Sequence, residues 1–420
     1  MRSSLDLIME EHFSSAYRAF RQSAYRNKYE KALLFGGKNF TYGALLVRAE
    51  YAYNTFLQMG VEEGDRVALW LPDCPDLLAS FYGLSRMGAI GVLIHPACSP
   101  REVKKQMEKA GADILLTTAG RYELYRKLTE ELPQSNLILC RPELDMKGKA
   151  RRDYLEKEWG NDIEDRAVLD QMMAENRYSA LETPKGDPLQ QAVILFGTSS
   201  FIKAHPISYQ AEELDEKAIG FWKNKKAVKV VFVENSFATE GGFLAVHSAL
   251  AAGKTVLWCD GTMEQMRKFK PDFLVATEEF FWAFRQQNTP WKMKWSNLQG
   301  GIQLGKEPTE LMQKFASRMM QECGGQGNLE ACPVELKVQQ QELCYVGDFG
   351  VRISDMEQEL ATLPSIAACR VSEENGALRL RLIPSGKEAA GKMGKSIALC
   401  CRREMNPRHL PKTVEFCSKL

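Results

Sequence analysis

Charge of one sign is the first thing this sequence lacks. Its 55 lysines and arginines stand against 54 aspartates and glutamates, a formal net charge of +1. That balance excludes a nucleic-acid binder relying on a global positive field and leaves room only for a local basic patch. Long apolar runs are missing too. No segment approaches the roughly 18 to 20 apolar residues that cross a bilayer, so no membrane span is expected. The opening stretch MRSSLDLIMEEHFSSAYRAF is broken by Asp6, Glu10 and Glu11 and lacks the apolar core of a signal peptide. The cytoplasm is the expected location.

Zinc-like spacing of cysteine and histidine is absent. The eleven cysteines are an odd number, several inside apolar strand-like runs (Cys140, Cys259, Cys344, Cys369). In a reducing compartment such thiols read as small buried hydrophobes. Cys400-Cys401 is a vicinal pair, not a Cys-x-x-Cys. There are no internal repeats and no low-complexity tract, and composition excludes collagen-like, coiled-coil and disordered classes. What remains is 420 residues, 45% apolar and 26% charged, enough for two or three folding units with a sizeable core.

Within that frame strands alternate with helical stretches. RVALWLP (66–72), AIGVLIHP (89–96) and ADILLTT (112–118) read as buried strands. LLASFYGLSRMGA (77–89) has helical apolar spacing, and SPREVKKQMEKAGA (99–112) reads as an amphipathic helix with a Ser-Pro start. Strands separated by helices of this length mean βαβ units and a parallel sheet. Residues 141–190 are charged and poor in apolar residues, so they read as exposed helices and a long connection. A second alternating block runs through QAVILFG (191–197), VKVVFVE (228–234), GKTVLWCD (253–260) and FLVAT (273–277), and CGGQGN (323–328) closes it. Beyond it, ELCYVGDFGVRISDMEQELATLP reads as strand, turn and helix. RVSEENGALRLRLIP reads as a hairpin around Asn375-Gly376, followed by a final helix and strand.

The most informative local feature is VILFGTSSFIKAHPISYQ (193–210), with AEELDEKAIGFW after it as a helix. A strand, a loop rich in small and hydroxyl residues, and a helix offer N–H groups, hydroxyls and a cation to an anion. The GxxxxGK[ST] spacing of a Walker A loop is absent. His95 reads as a strand-end residue and His247 as packed on a helix. His205 falls in the phosphate-type loop. The aromatic run FFWAF (280–284), with Trp291 and Trp295, reads as core or as the lining of an acyl pocket.

Order along the chain adds a resemblance. The segment from Phe40-Thr41-Tyr42 through Gly60-Val61, Gly64-Asp65-Arg66-Val67, Pro72, Gly83, Gly88-Ala89 and Pro96 resembles the N-terminal region of the adenylate-forming superfamily. That superfamily contains acyl-CoA synthetases, aryl-acid and amino-acid adenylation domains and firefly luciferase. SNLQGGIQLGKEPTELMQKF (296–315) resembles its strand–GG–helix segment before the adenine pocket. GVRISDMEQELATLPSIAACRV (350–371) and MNPRHLPKTVEFCSKL (405–420) resemble the start and end of its small C-terminal domain. The fold so implied is α/β: a large N-terminal region of parallel and mixed sheets flanked by helices (1–344), and a reduced α+β C-terminal domain (345–420).

The resemblance implies a reaction in which ATP and a carboxylate give an acyl-adenylate and pyrophosphate, the acyl group then passing to a thiol. That task requires placing a carboxylate in line with the α-phosphate and neutralising the charge that builds there. It implies ATP, Mg2+ and either coenzyme A or a phosphopantetheine thiol. The partners implied are a small carboxylic acid and, with the second thiol, an acyl carrier protein. Phosphate contacts fall to Thr198, Ser199, Ser200 and Lys203, in a loop about three residues shorter than the family's and poor in glycine. There Phe201 and Ile202 put bulk where backbone must approach an oxyanion.

The family's Tyr-Gly-x-Thr-Glu is matched by Gln326-Gly327-Asn328-Leu329-Glu330, which keeps Gly327 and Glu330, the latter at the magnesium. Glu330 reads equally as a surface turn residue. Val346-Gly347-Asp348 is the candidate for the ribose-binding aspartate, although Asp348 also aligns with the later hinge. The sequence ends before the family's Gly-Lys motif with the adenylation lysine. Losing one preorganised donor typically costs on the order of 10² to 10³ in rate, so weakened adenylation is expected. A ligase, a non-catalytic relative that binds acyl group, nucleotide or carrier protein, and a ligase whose lysine comes from a partner chain all stay open.

Overall fold

The structure, a computed structural model, describes residues 15–128, 136–157, 169–175, 191–197, 205–210, 217–258, 266, 268–287, 295–304, 308–322, 324–325, 327–331, 343–346, 349–353, 357, 360, 366–374, 377–385 and 413–417. In chain order the strands are β1 (Lys31–Phe35), β2 (Lys38–Thr41), β3 (Arg66–Trp70), β4 (Ile90–Leu93), β5 (Ile114–Thr118), β6 (Leu137–Cys140), β7 (Gln191–Gly197), β8 (His205–Gln210) and β9 (Val230–Val233). They continue with β10 (Thr255–Trp258), β11 (Phe273–Ala276), β12 (Gly300–Gln303), β13 (Asn328–Ala331), β14 (Leu343–Val346), β15 (Phe349–Arg352), β16 (Ile366–Glu374), β17 (Ala377–Pro384) and β18 (Thr413–Phe416).

Two sheets dominate. The larger runs β13-β12-β11-β9-β10-β1-β2 and the smaller β6-β5-β3-β4-β7-β8. All pairings are parallel except β1–β2 and β7–β8. Alternation along each strand splits the side chains between two faces. On β3, Val67 and Leu69 join a central cluster while Ala68 and Trp70 join an outer one. On the large sheet Val231 and Val233 face the central cluster, while Phe232 faces a third. The result is five layers. The helices Ser15–Arg26, Tyr42–Gln58, Pro75–Met87 and Glu240–Ala251 are sandwiched between the sheets. Pro100–Ala110 and Ala119–Leu128 carry the helical side of the smaller sheet's outer cluster. Glu278–Gln287 and Glu310–Glu322 cover the outer face of the larger.

Local chemistry fixes these helices. Ser99 accepts from the Glu102 N–H (3.4 Å) while the Glu102 carboxylate accepts from the Ser99 N–H (2.6 Å), a reciprocal cap with Pro100 in the first turn and Gly111 at φ +66° ending the helix. Where Tyr42–Gln58 crosses Pro75–Met87 the backbones almost touch. A Cβ on Gly83 would lie 2.8 Å from the Tyr53 nitrogen and 3.1 Å from the Ala49 carbonyl.

Two expectations are corrected. The chain does not pass from the loop after β7 into a helix. It returns as β8, antiparallel, with Gly197 opposite His205, and the next described helix begins at Lys217. The segment after 342 pairs β14 with β15 before any helical turn. The hairpin expected around Asn375-Gly376 is present as β16–β17, with Glu374 opposite Ala377, and β18 adds parallel to β17.

Candidate active site

In open α/β sheets ligands bind outside the carboxyl ends of the strands, where consecutive connections leave in opposite directions. In the large sheet β9 connects to β10 on one side, and the chain then returns to β11 on the other, so the switch lies between β9 and β11. Glu234 and Thr277 are the residues immediately after those strands. The Glu234 Oε2 accepts from the Thr277 N–H (2.8 Å) and hydroxyl (3.0 Å). Thr277 in turn accepts from the Phe280 N–H (3.3 Å), capping the helix Glu278–Gln287.

The smaller sheet has its own switch between β3 and β5. From the turn after β3, the Asp73 Oδ1 accepts from the Phe237 N–H (2.8 Å) and the Ser236 hydroxyl (3.1 Å), both from the turn after β9. The carboxyl ends of the two sheets are thereby joined. Arg121, just past β5, donates to the Pro96 carbonyl and lies over the Trp70 ring (5.4 Å).

Between the two ends packs an aromatic group. Phe237 lies 5.4 Å from Phe81, 5.2 Å from Phe243 and 6.2 Å from Trp258, ring centre to ring centre. Two polar atoms beside it are buried with no hydrogen-bond partner among the described residues, Asn235 Oδ1 and Trp258 Nε1. An unmet acceptor and an unmet donor at one end of a sheet suit a small polar group or an ordered water.

The expected histidines are structural. His95 is buried and its Nδ1 accepts from the Ala97 N–H (3.1 Å). His247 is fully enclosed, 3.1 Å from the Tyr82 hydroxyl and stacked on Phe243, and burial pushes it down to about 4. The His205 side chain lies outside the described residues. In the FFWAF run, Phe281 and Phe284 join the outer core with Trp295, whose indole N–H donates to the Pro271 carbonyl (2.8 Å). Trp291 lies outside the described residues.

Thr198, Ser199, Ser200, Lys203 and Asp348 also lie outside the described residues. Gly327 stands at the entry to β13, where a Cβ would fall 2.1 Å from the Gln299 carbonyl, so close strand packing alone demands glycine. Glu330 lies within β13, opposite Ile302, and its carboxylate takes the Lys225 ammonium at 2.6 Å. Lys225 also lies over Phe221 (4.7 Å) and Phe273 (5.2 Å). Magnesium asks for only one or two carboxylates beside phosphate oxygens. Glu330 meets that donor count, but its carboxylate is already engaged. No cluster of three metal-ligating side chains occurs among the described residues.

Sequence reasoning passed over Glu234, Thr277 and Asp73. Their signal was present: each is a polar residue at or just past the carboxyl end of a buried strand.

Comparison with known proteins agrees with this architecture. A family model described as AMP-binding enzyme matches residues 20–357. Among curated relatives, a crotonobetaine/carnitine–CoA ligase of Salmonella arizonae is 28% identical over 176 residues, 41% of this chain and 31% of the ligase. A 3-hydroxybenzoate–CoA ligase of an Aromatoleum species is 27% identical over 30% of this chain and 24% of its own length. These matches therefore span less than a third of either ligase. Among solved structures, an anthranilate–CoA ligase complexed with anthranoyl-AMP superposes with a TM-score of 0.64 at 12% identity, covering 97% of this chain and 94% of its own. An o-succinylbenzoate–CoA synthetase from Bacillus subtilis gives 0.65 at 12% identity, covering 96% and 95%.

Proposed function

Because the chain belongs to the AMP-binding enzyme family, we propose that it is an acid–thiol ligase, activating a carboxylic acid as its acyl-adenylate with ATP and passing it to a thiol. The observation that carries this reading is the family match over residues 20–357, which takes in the carboxyl ends of both sheets. The thiol is coenzyme A, as named for the ligases to which the chain is similar, with a carrier-protein phosphopantetheine as the other acceptor.

In this reading Thr198, Ser199, Ser200 and Lys203 hold the phosphates and Asp348 the ribose. The acid enters beside the aromatic group of Phe81, Phe237 and Phe243, where the buried Trp258 N–H donates to its carboxylate and the Asn235 Oδ1 accepts from a donor elsewhere on it. Glu330 would hold magnesium, whose chemistry is to neutralise phosphate charge, by giving up its Lys225 partner. Residues 345–420 form the small C-terminal domain. Since β8 rather than a helix follows the phosphate loop, anion binding there falls to backbone N–H groups, hydroxyls and Lys203 without a helix dipole. Weakened adenylation would follow from the bulk of Phe201 and Ile202 in that glycine-poor loop. The cytoplasm is the proposed location, and no helix among the described residues is long and apolar enough to cross a membrane.

The test is ATP–pyrophosphate exchange across a panel of aryl and aliphatic acids, with ATP binding measured alongside by calorimetry. Exchange that depends on one acid and falls about 10²-fold or more in Lys203→Ala supports the ligase. Absence of ATP binding overturns it. Binding without exchange favours a second reading, a non-catalytic member that holds nucleotide, acyl group or carrier protein. The engagement of Glu330 by Lys225 speaks for that reading.

A further inference from the structure

The amino ends of the large sheet's strands, opposite the crevices just described, gather positive charge that the near-neutral composition conceals. Lys31 opens β1, Lys28 lies in the loop before it, and Arg26 ends the helix Ser15–Arg26 that leads into that loop. Two strands away, the turn before β9 carries Lys226 and Lys229, and Lys223 stands in the last turn of the helix Lys217–Asn224 that precedes it. All six side chains are exposed. The two loops are held in fixed relation. Thr255, first residue of the intervening β10, donates from its hydroxyl to the Lys31 carbonyl (2.7 Å). Its neighbour Lys254 sends its ammonium inward to the Lys225 (2.7 Å) and Val228 (2.8 Å) carbonyls. With β1, β10 and β9 adjacent, the two basic loops stand roughly 10 Å apart, two strand spacings.

Among the described residues, acids do not cancel this rim. Glu30 is exposed within it. Asp272 is buried and accepts from the Lys229 and Val230 N–H groups (2.8 Å each), and Glu330 is taken by Lys225. Beside the cations stand Tyr25 and Tyr29, 63% and 85% exposed, the exposed large aromatics among the described residues. Each ring has a cation from its own segment against it, Arg21 at 4.9 Å from Tyr25 and Lys28 at 5.6 Å from Tyr29.

We propose that this amino edge is a docking surface for an anionic phospholipid bilayer. Basic side chains on neighbouring loops at one end of a rigid sheet form a broad positive face, and tyrosine is the residue whose apolar ring and polar hydroxyl suit the headgroup layer. Pairing of each ring with its own cation makes ring and charge advance together as one amphipathic unit. That arrangement fits a lipid interface better than a stacked nucleic-acid base, which needs an uncovered ring face. Docked this way, the crevices at the opposite ends of the strands stay turned to water.

The test is cosedimentation of the full chain with vesicles of phosphatidylcholine alone and of phosphatidylcholine with phosphatidylserine. Binding is expected only to the second, and is expected to be lost in high salt. Each basic residue near such a surface strengthens partitioning about fivefold, so Lys226→Gln/Lys229→Gln should weaken it about twentyfold. Lys28→Gln/Lys31→Gln, on the other loop, should do the same. Both variants should keep the wild-type thermal transition, because they change exposed side chains only. No binding by the wild type, equal binding to uncharged vesicles, or full binding by both variants overturns the proposal. So does displacement of the vesicles by an oligonucleotide that the protein holds more tightly.

Discussion

Glu234 and Thr277 close the switch point of the large sheet with one carboxylate oxygen that accepts both the backbone N–H and the hydroxyl of the threonine. The pair ties the exit of β9 to the start of the helix Glu278–Gln287, so it sets the width of the crevice as well as capping a helix. Thr277→Val removes the hydroxyl and the cap and should cost about 1–2 kcal/mol in urea unfolding. Glu234→Ala also orphans the Thr277 N–H and should cost about 2–3 kcal/mol. On the proposed function, both variants raise KM for the acid more than for ATP.

Asp73 is the complementary tie between the sheets. Replacing it by alanine leaves the Phe237 N–H and the Ser236 hydroxyl without their acceptor in the turn after β9. Asp73→Ala should therefore lose about 2–3 kcal/mol, while Asp73→Asn, which keeps an acceptor oxygen, should lose about half as much. Paired denaturation curves decide between these outcomes.

Gly327 tests what the family motif is for in this chain. Its Cβ position is occupied by the Gln299 carbonyl, so Gly327→Ala should cost more than about 3 kcal/mol whether or not nucleotide binds there. Glu330→Gln should cost at most about 1 kcal/mol, because its pair with Lys225 is partly exposed. A large fall in pyrophosphate exchange with so small a stability change would assign Glu330 to chemistry. Unchanged exchange would leave it as the clasp of an edge strand.

His247 predicts a pH dependence with a definite sign. Burial holds its folded pKa near 4, below the ordinary value of 6.5, so the unfolded chain binds the extra proton. The stability contributed by the neutral ring is complete above about pH 6.5 and drains away as pH falls toward 4, about 3 kcal/mol in all. His247→Gln should flatten this part of the curve. The comparison of the two proteins between pH 7.5 and 4.5 isolates it from carboxylate titration.

Much of this architecture was legible from period and punctuation. The buried runs at 66–72, 89–96 and 112–118 became β3, β4 and β5, and Ser99-Pro100 announced its helix, because capping and alternation are local properties. The Gly-Gly strand and the helix after it, at 300–322, were also found where the resemblance put them. The return of β8 was not legible. HPISYQ is short and opens on His205-Pro206, and pairing with β7 is decided by a neighbour rather than by the segment itself. At the candidate site the same limit operates. Glu234, Thr277 and Asp73 acquire meaning only when strand order is known, since a polar residue after a strand is ordinary until two strands diverge there. Glu330 shows the converse. Its identity pointed to a metal, while its partner Lys225, 105 positions away, could be named only in three dimensions.

The crossing at Gly83 has a mechanical consequence. Because the helices Tyr42–Gln58 and Pro75–Met87 meet backbone to backbone at Gly83, no side-chain rotamer can yield at that point. The closest approach of the two helices is therefore set by main-chain dimensions. Tightening or loosening of the crevices must then come from the turns at the strand ends, where Asp73 and Glu234 hold by hydrogen bonds that can open one at a time.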